Sequence, residues 1–302
     1  MTEVTVIGLG PMGSTLAELM LKAGKSVTVW NRSPDKANGL IERGAKRATD
    51  PADAISASPV ILICVYDYDA VETILAANGV SGAIRGRLVI NLGTGSPGDA
   101  SRTEAFVHRH HGSYLDGAIQ AAPSQMGQSD TPLLISGSRS QLVVAEALLK
   151  ILAGNVVYLG EKIDAAASMD LSTLSYIYGS IAGFLHGARI AEAAGVDVAA
   201  YGGIVNAISP SFGAFFQHEG GVIASDDFRV TESPLRISIA AVRRIRQHSE
   251  QLGLNSELPA LVDNWLMRAD KSGFADEELA AVIKVLRQDS FQLPHLASQR
   301  SI

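Results

Sequence analysis

The stretch Val4-Thr5-Val6-Ile7-Gly8-Leu9-Gly10-Pro11-Met12-Gly13 decides how the whole chain is read. Val4, Val6 and Ile7 make a short buried strand, three glycines follow at the spacing G-x-G-x-x-G, and an apolar helix pattern comes next. Each glycine has its own task. Gly8 permits the tight turn, Gly10 removes a side chain where backbone must approach a pyrophosphate, and Gly13 lets the helix pack closely on its strand. The helix start then aims N–H groups at phosphate oxygens, with Leu9, Pro11 and Met12 completing the cofactor-binding turn. The motif alone is weak evidence, but a second strand, Ser26 to Trp30, ends at the ~20-residue distance where such folds read the ribose.

What stands at the end of that second strand selects the cofactor. An enzyme for the unphosphorylated dinucleotide places Asp or Glu there, which binds the 2′-hydroxyl and repels a 2′-phosphate. This chain has Asn31-Arg32-Ser33, followed by Lys36. Arg32 can pair with a phosphate dianion in a planar fork, while Asn31 and Ser33 supply neutral hydrogen bonds. The cofactor expected is NADPH rather than NADH. The ordinary alternative for Arg32 is a solvated loop charge.

At 302 residues, 47% of them hydrophobic, the chain is long enough for two globular domains. Its net charge of −6, with no basic stripe beyond Arg243, Arg244 and Arg246, argues against a nucleic-acid surface. That run reads as the solvated face of a helix. A single cysteine, Cys64, leaves no intramolecular disulfide, and its place in the apolar run Val60 to Val65 reads as a packed strand residue. A cytoplasmic setting is expected, without signal peptide or membrane span, because no apolar stretch continues for ~20 positions.

Further along, Ile41 to Ala52 holds a strand-like fragment and a loop, with a short helix start at Pro51. Val60 to Val65 is continuous and apolar, as in a strand covered on both faces. It ends at Tyr66, where cofactor-facing loops of a doubly wound sheet belong, so Cys64, Val65 and Tyr66 join the expected cofactor site. The strand Leu88 to Leu92 ends at Gly93-Thr94-Gly95, which adds Asn91 and the Thr94 hydroxyl. Strands at Tyr114 to Ile119 and Pro132 to Gly137, a helix from Ser140 to Leu152 and a closing strand at Val156 to Gly160 complete a mostly parallel sheet. After Gly160 the pattern turns helical. Ala165 to Ala194 lacks proline and reads as one helix of roughly thirty residues. Further helices are expected at Val198 to Ile208, with a break at Pro210, then at Pro234 to Leu252, Glu257 to Arg268 and Glu277 to Leu286. Ser233, Ser256 and Asp276 are the candidate caps. The tail from Gln288 to Ile302 has little periodicity. The expected fold is α/β: an N-terminal Rossmann-type doubly wound domain (1–162), a long interdomain helix (163–195) and an all-helical C-terminal domain (196–302).

A nucleotide fold followed by a long helix and a helical domain resembles the β-hydroxy acid dehydrogenase superfamily, to which 6-phosphogluconate dehydrogenase-like folds belong. Those enzymes carry a catalytic lysine early in the long helix, in a pattern like Ala-x-x-Lys-Leu. The matching stretch here is Ala167-Ser168-Met169-Asp170-Leu171, with Asp170 at the lysine position. An ammonium assists alcohol oxidation by exchanging a proton with oxygen and stabilising negative charge there. A carboxylate suits an iminium cation instead. That combination is similar to the NADPH-dependent imine reductases and reductive aminases. Further matches are Cys64-Val65-Tyr66-Asp67-Tyr68-Asp69-Ala70-Val71, Asn91-Leu92, Tyr114 to Ala121 and Ser136-Gly137. Where the family often reads Asn-Leu-Thr and Ile-Met-Ala, this chain has Asn91-Leu92-Gly93 and Ile119-Gln120-Ala121.

The resemblance implies reduction of an imine C=N bond to an amine, extending to reductive amination of a ketone with an amine. It also implies a homodimer with interlocked helical domains. A tyrosine follows the helix acid by eight residues in that family; here it is Tyr178, about 80° around the helix from Asp170. The expected roles are proton exchange or cation stabilisation by Asp170 and orientation of the substrate nitrogen by Tyr178. Burial beside Leu174 would raise the Asp170 pKa. The ordinary alternatives are a helix-start carboxylate and a packed core tyrosine. Ile119, Gln120, Ala121, Leu174, Phe212, Phe215 and Phe216 are candidate substrate-pocket residues. His108, His110 and His111 read as an exposed turn, and no spacing indicates a metal site. The rival readings are a hydroxy acid dehydrogenase-like oxidoreductase and a non-catalytic NADPH-binding sensor.

Overall fold

The computed structural model describes residues 1–289, so the aperiodic tail expected from Gln288 to Ile302 lies outside the described residues from position 290 onward. The chain divides into two compact units, Met1–Tyr176 and Ile177–Ile302.

The first unit is built on one sheet of eight strands. These are β1 (Val4–Ile7), β2 (Val27–Trp30), β3 (Lys46–Arg47), β4 (Val60–Ile63), β5 (Leu88–Asn91), β6 (Ser113–Ile119), β7 (Pro132–Gly137) and β8 (Asn155–Tyr158). Their order is β3-β2-β1-β4-β5-β6-β7-β8. All pairs are parallel except β6 and β7, which run antiparallel with Leu115 opposite Gly137. The helices of this unit are α1 (Pro11–Lys22), α2 (Asn38–Ile41), α3 (Pro51–Ser56), α4 (Tyr68–Leu75), α5 (Val80–Ala83), α6 (Pro97–Arg109) and α7 (Arg139–Leu152).

Side chains alternate across a strand, and the central strands bury both faces. Val4, Val6, Leu62 and Ile90 pack with Leu16 and Met20 of α1 and Leu149 of α7. Ile7, Ile61, Ile63 and Val89 pack on the opposite face with Ile55 and Val71. Each such side chain contributes about 1.5–3 kcal/mol on burial, which is why the run Val60–Ile63 has to be a strand covered on both sides. Thr5 is the polar member of the second face, and its hydroxyl donates to the Ala54 carbonyl at 2.9 Å. Caps fix the loops that follow the strands. Asp67 accepts from the Ala70 N–H at 2.9 Å to start α4, and Ser96 with Asp99 forms a capping box that starts α6. Cys64 lies one residue beyond β4 rather than in it, half-buried, with burial pushing its thiol up to about 11.

Helix α8 (Ala165–Ala193) begins in the first unit and continues into the second; its 29 residues span about 44 Å. The second unit continues with α9 (Val198–Ser225), α10 (Leu235–Gln251), α11 (Glu257–Lys271), a 3-10 turn at Leu279–Ala281 and α12 (Val282–Gln288). Its core is Leu235, Ile239, Leu266, Ala269 and Val285.

Several local expectations are corrected here. Helix α9 runs through Pro210 without the expected break. The hydroxyls of Ser209 and Ser211 donate to the Val205 and Ile208 carbonyls in the turn that the proline loosens. Pro234 is itself the N-cap of α10, so Ser233 lies outside it, and Ser256 occupies the N-cap of α11 without a side-chain bond. Asp276 caps no helix, because the next segment turns the buried Glu278 back onto the Thr231 and Glu232 N–H groups before the 3-10 turn begins. His108 lies in the last turn of α6, while His110 and His111 stand in the turn after it, His110 half-buried with its ring tilted against Phe106 at 4.7 Å. Among the described residues no helix is long and apolar enough to cross a membrane.

Candidate functional site

The strand order reverses direction at β1 and β4, and the turn after β1 opens there, at the carboxyl ends of the strands. Gly8 has φ +95°, and a Cβ on it would stand 2.2 Å from the Cys64 carbonyl oxygen. A Cβ on Gly13 would stand 1.9 Å from the Gly8 carbonyl oxygen. Both glycines are therefore demanded by the protein itself. At Gly10 a Cβ would meet nothing within 4 Å. That open side, at the N-cap of α1 with no side-chain cap and Pro11 at the first helical position, is where a phosphate can approach the helix N-terminus.

The cleft around this turn encloses about 510 Å³. Gly8, Leu9, Gly10, Pro11, Met12 and Gly13 line it, as do Asn31, Arg32, Ser33, Lys36, Cys64, Val65 and Tyr66. Trp30, Ala70, Thr73 and Ile74 line it too and were not among the expected cofactor residues; the i, i+3, i+4 spacing of the last three on α4 is the signal that marks one shared helix face. Asn31 braces the loop: its Oδ1 accepts from the Leu9 N–H at 2.9 Å and its Nδ2 donates to the Ser33 carbonyl at 3.1 Å. One Nδ2 hydrogen and one Oδ1 lone pair of Asn31 are left over from these two bonds. Arg32, Ser33 and Lys36 are exposed on the rim, and neither cation forms an ion pair among the described residues.

Two expected cofactor residues stand outside this cleft lining. Thr94 is exposed in the loop after β5. Asn91, the last residue of β5, is fully buried, and its Oδ1 accepts from the Gly93 N–H at 3.3 Å. Its amide is buried as well and acts on Asp116 and Tyr68 inside the protein, lowering the pKa of both. The glycine cradle and the two unpaired cations fit a phosphorylated dinucleotide.

Beside Asn91, β6 delivers a buried polar group that the sequence did not single out. The hydroxyls of Tyr68 and Tyr114 both donate to Asp116 Oδ1, the latter at 2.9 Å. Burial pushes the Asp116 carboxyl up to about 6, partly opposed by those hydroxyls and reinforced by the charge of Asp170. Burial likewise pushes both tyrosine hydroxyls up. Only the tertiary pairing of β6 with α4 could reveal this triad.

Asp170 lies in the second turn of α8, 5% exposed. Gln120, just past β6, donates from Nε2 to Asp170 Oδ1 at 2.6 Å. The Thr173 hydroxyl is 2.6 Å from Gln120 Oε1 and 2.9 Å from the Asp170 carbonyl. Burial raises the Asp170 pKa, and the Gln120 amide opposes that rise. Gln120, expected as a pocket wall, is thus engaged on the acid. Ile119 and Ala121 are half-buried against the sheet core, and Leu174 is half-buried on α8. Tyr178 follows on α8 and is 67% exposed, which removes the packed-core alternative within a single chain. Phe212 and Phe216 are exposed on α9 with ring centroids 6.2 Å apart, and Phe215 is half-buried beside them.

A glycine turn at the switch point of a doubly wound sheet, cations at its ribose end and a buried acid early in the long helix define a dinucleotide-dependent oxidoreductase. Comparison with known proteins narrows the class. Residues 3–160 match the NAD binding domain of 6-phosphogluconate dehydrogenase, and residues 163–288 match the NADPH-dependent reductive aminase-like C-terminal domain. The chain belongs to the imine reductase and reductive aminase family. It is 28% identical to an NADPH-dependent reductive aminase of Aspergillus oryzae, over 94% of this chain and 97% of that protein. Among solved structures it resembles an imine reductase of Myxococcus stipitatus in complex with NADP+ (TM-score 0.88, 28% identity, 94% of this chain and 99% of the other). It also resembles a reductive aminase of Aspergillus terreus in complex with NADPH4, cyclohexanone and allyl amine (TM-score 0.86, 30% identity, 95% and 99%).

Proposed function

We propose that this chain is an NADPH-dependent imine reductase that converts a C=N bond to an amine, with reductive amination of a ketone by an amine as the extension of the same chemistry. The observation that carries the reading is a buried acid, Asp170, held by Gln120 on the helix where related hydroxy acid enzymes carry a cation. NADPH, when bound, supplies the hydride to the imine carbon. Gly8 through Gly13 with Cys64, Val65 and Tyr66 hold the dinucleotide, Arg32, Ser33 and Lys36 receive its 2′-phosphate, and Asn91 and Thr94 serve the end of β5. Asp170, whose pKa burial raises, is the acid that gives the imine nitrogen its proton in this reading, and its carboxylate then faces the iminium formed. Tyr178 offers its hydroxyl to orient that nitrogen. Leu174 and the Phe212, Phe215 and Phe216 group supply apolar walls.

In this reading residues 1–162 bind the dinucleotide, 163–195 form the connecting helix and 196–302 serve dimerisation and substrate, in a cytoplasmic homodimer. Support for the dimer comes from α8 and α9, which expose Tyr176, Ile181, Leu185, Ile204, Ile208 and Phe212 in the single chain. The test is NADPH consumption with a cyclic imine such as a pyrroline, wild type beside Asp170→Ala. Turnover by the wild type and a loss of ~10²-fold or more in the variant are expected. Equal rates remove Asp170 from the mechanism. Oxidation of small hydroxy acids without activity on amines favours a dehydrogenase instead, and NADPH binding without any turnover favours a sensor.

A further inference from the structure

Helix α9 carries His218 and Glu219 about two turns before its end at Ser225, and both meet Glu278 from the segment ahead of the 3-10 turn. One ligand atom from each of the three lies within 4.8 Å of the others. Glu219 is 7% exposed and Glu278 is fully buried. Each uses one carboxylate oxygen within the protein. Glu219 Oε2 accepts from the Ala280 N–H at 2.7 Å, and Glu278 Oε1 accepts from the Thr231 and Glu232 N–H groups and from the Thr231 hydroxyl at 2.8 Å. The other oxygens, Glu219 Oε1 and Glu278 Oε2, are buried with no hydrogen-bond partner among the described residues. His218 Nε2 lies 3.6 Å from Glu278 Oε1 and 3.2 Å from the Thr231 hydroxyl.

Two adjacent buried carboxylates need positive charge or a proton between them, because the low-dielectric interior penalises an unpaired anion heavily. The nearby cations are committed elsewhere: Arg229 pairs with Asp227, Lys284 with Glu277 and Arg287 with Asp226.

We propose that His218, Glu219 and Glu278 form a structural site for a divalent metal of the zinc type, tying the last third of α9 to the segment ahead of α12. One imidazole nitrogen with two carboxylates is the donor set of a borderline ion, whereas Mg²⁺ takes oxygen ligands and keeps its water, and soft ions need thiolate. The site is independent of the reductase reading, since every ligand lies in the second unit.

The test uses the full chain, stripped with EDTA and titrated with ZnCl₂ by calorimetry, with metal content and Tm measured in parallel. Because the histidines near the end of α6 can also take zinc, the titration is done in a His108→Ala, His110→Ala, His111→Ala background. One zinc per chain is expected, with a rise in Tm, and MgCl₂ should produce neither. Glu219→Gln and His218→Asn should each weaken zinc binding on the order of 100-fold, while their unliganded Tm shows whether they fold. Absence of saturable binding overturns the proposal and leaves a proton shared between the two carboxylates. Binding of unchanged affinity in both variants overturns it equally, as adventitious zinc elsewhere.

Discussion

Replacing Arg32 by alanine tests the cofactor reading most directly. Its guanidinium stands on the rim of the cleft with no ion pair to break, so the variant removes a ligand contact and nothing that holds the fold. A guanidinium on a phosphate dianion makes two charge-assisted hydrogen bonds, each stronger than a neutral one, but exposure on the rim screens them. A loss of ~5- to 30-fold in kcat/KM for NADPH is therefore expected, with NADH changed less than twofold, since NADH has no 2′-phosphate to lose. The assay is steady-state imine reduction with each cofactor at low salt and at ~0.3 M salt, where the wild-type advantage for NADPH should shrink as the Debye length shortens. Lys36 stands on the same rim, so Lys36→Ala should act in the same direction. If NADPH and NADH lose the same factor, or neither changes, Arg32 is a solvated loop charge and the specificity argument fails.

Four further outcomes follow from other observations. Gly13→Ala should destabilise the chain by about 3 kcal/mol or prevent folding, because its Cβ meets the Gly8 carbonyl. Gly10→Ala should keep its Tm within a few degrees and still lose NADPH affinity in a titration, because its open side meets only ligand. Asp116 is raised to about 6, so the native state binds the extra proton between the unfolded value near 4 and pH 6. Its contribution favours folding at low pH and is lost as pH rises through 6, about 3 kcal/mol in all. Asp116→Asn, which can still accept from both tyrosines, should flatten the stability–pH curve over that window in chemical denaturation. A slope unchanged from wild type would show that Asp116 does not titrate there. Gln120→Leu removes the amide that holds the Asp170 pKa down, so the pH midpoint assigned to Asp170 in the kcat profile should move upward; a downward or absent shift contradicts the contact.

What the sequence by itself determined is whatever depends on local pattern. Val4 to Gly13 specified strand, turn and helix, because a two-residue alternation, a positive φ and a missing Cβ are written into residue types. Asn31-Arg32-Ser33 stood out because they follow the glycine motif at a fixed distance, whereas Asp170 stood out only through the resemblance to a family pattern. Pro210 misled, since one missing N–H bond inside a helix of 28 residues removes a single rung, and the rest of the helix carries through it. Only the tertiary structure decided that Gln120 holds Asp170, that Tyr68 and Tyr114 converge on Asp116, and that Glu219 meets Glu278. Apart from Tyr114 and Asp116, which share one face of β6, those contacts join residues about fifty apart or more, and no spacing rule encodes such a meeting. They arise when the sheet order and helix packing bring distant polar groups into an interior that forces them to pair.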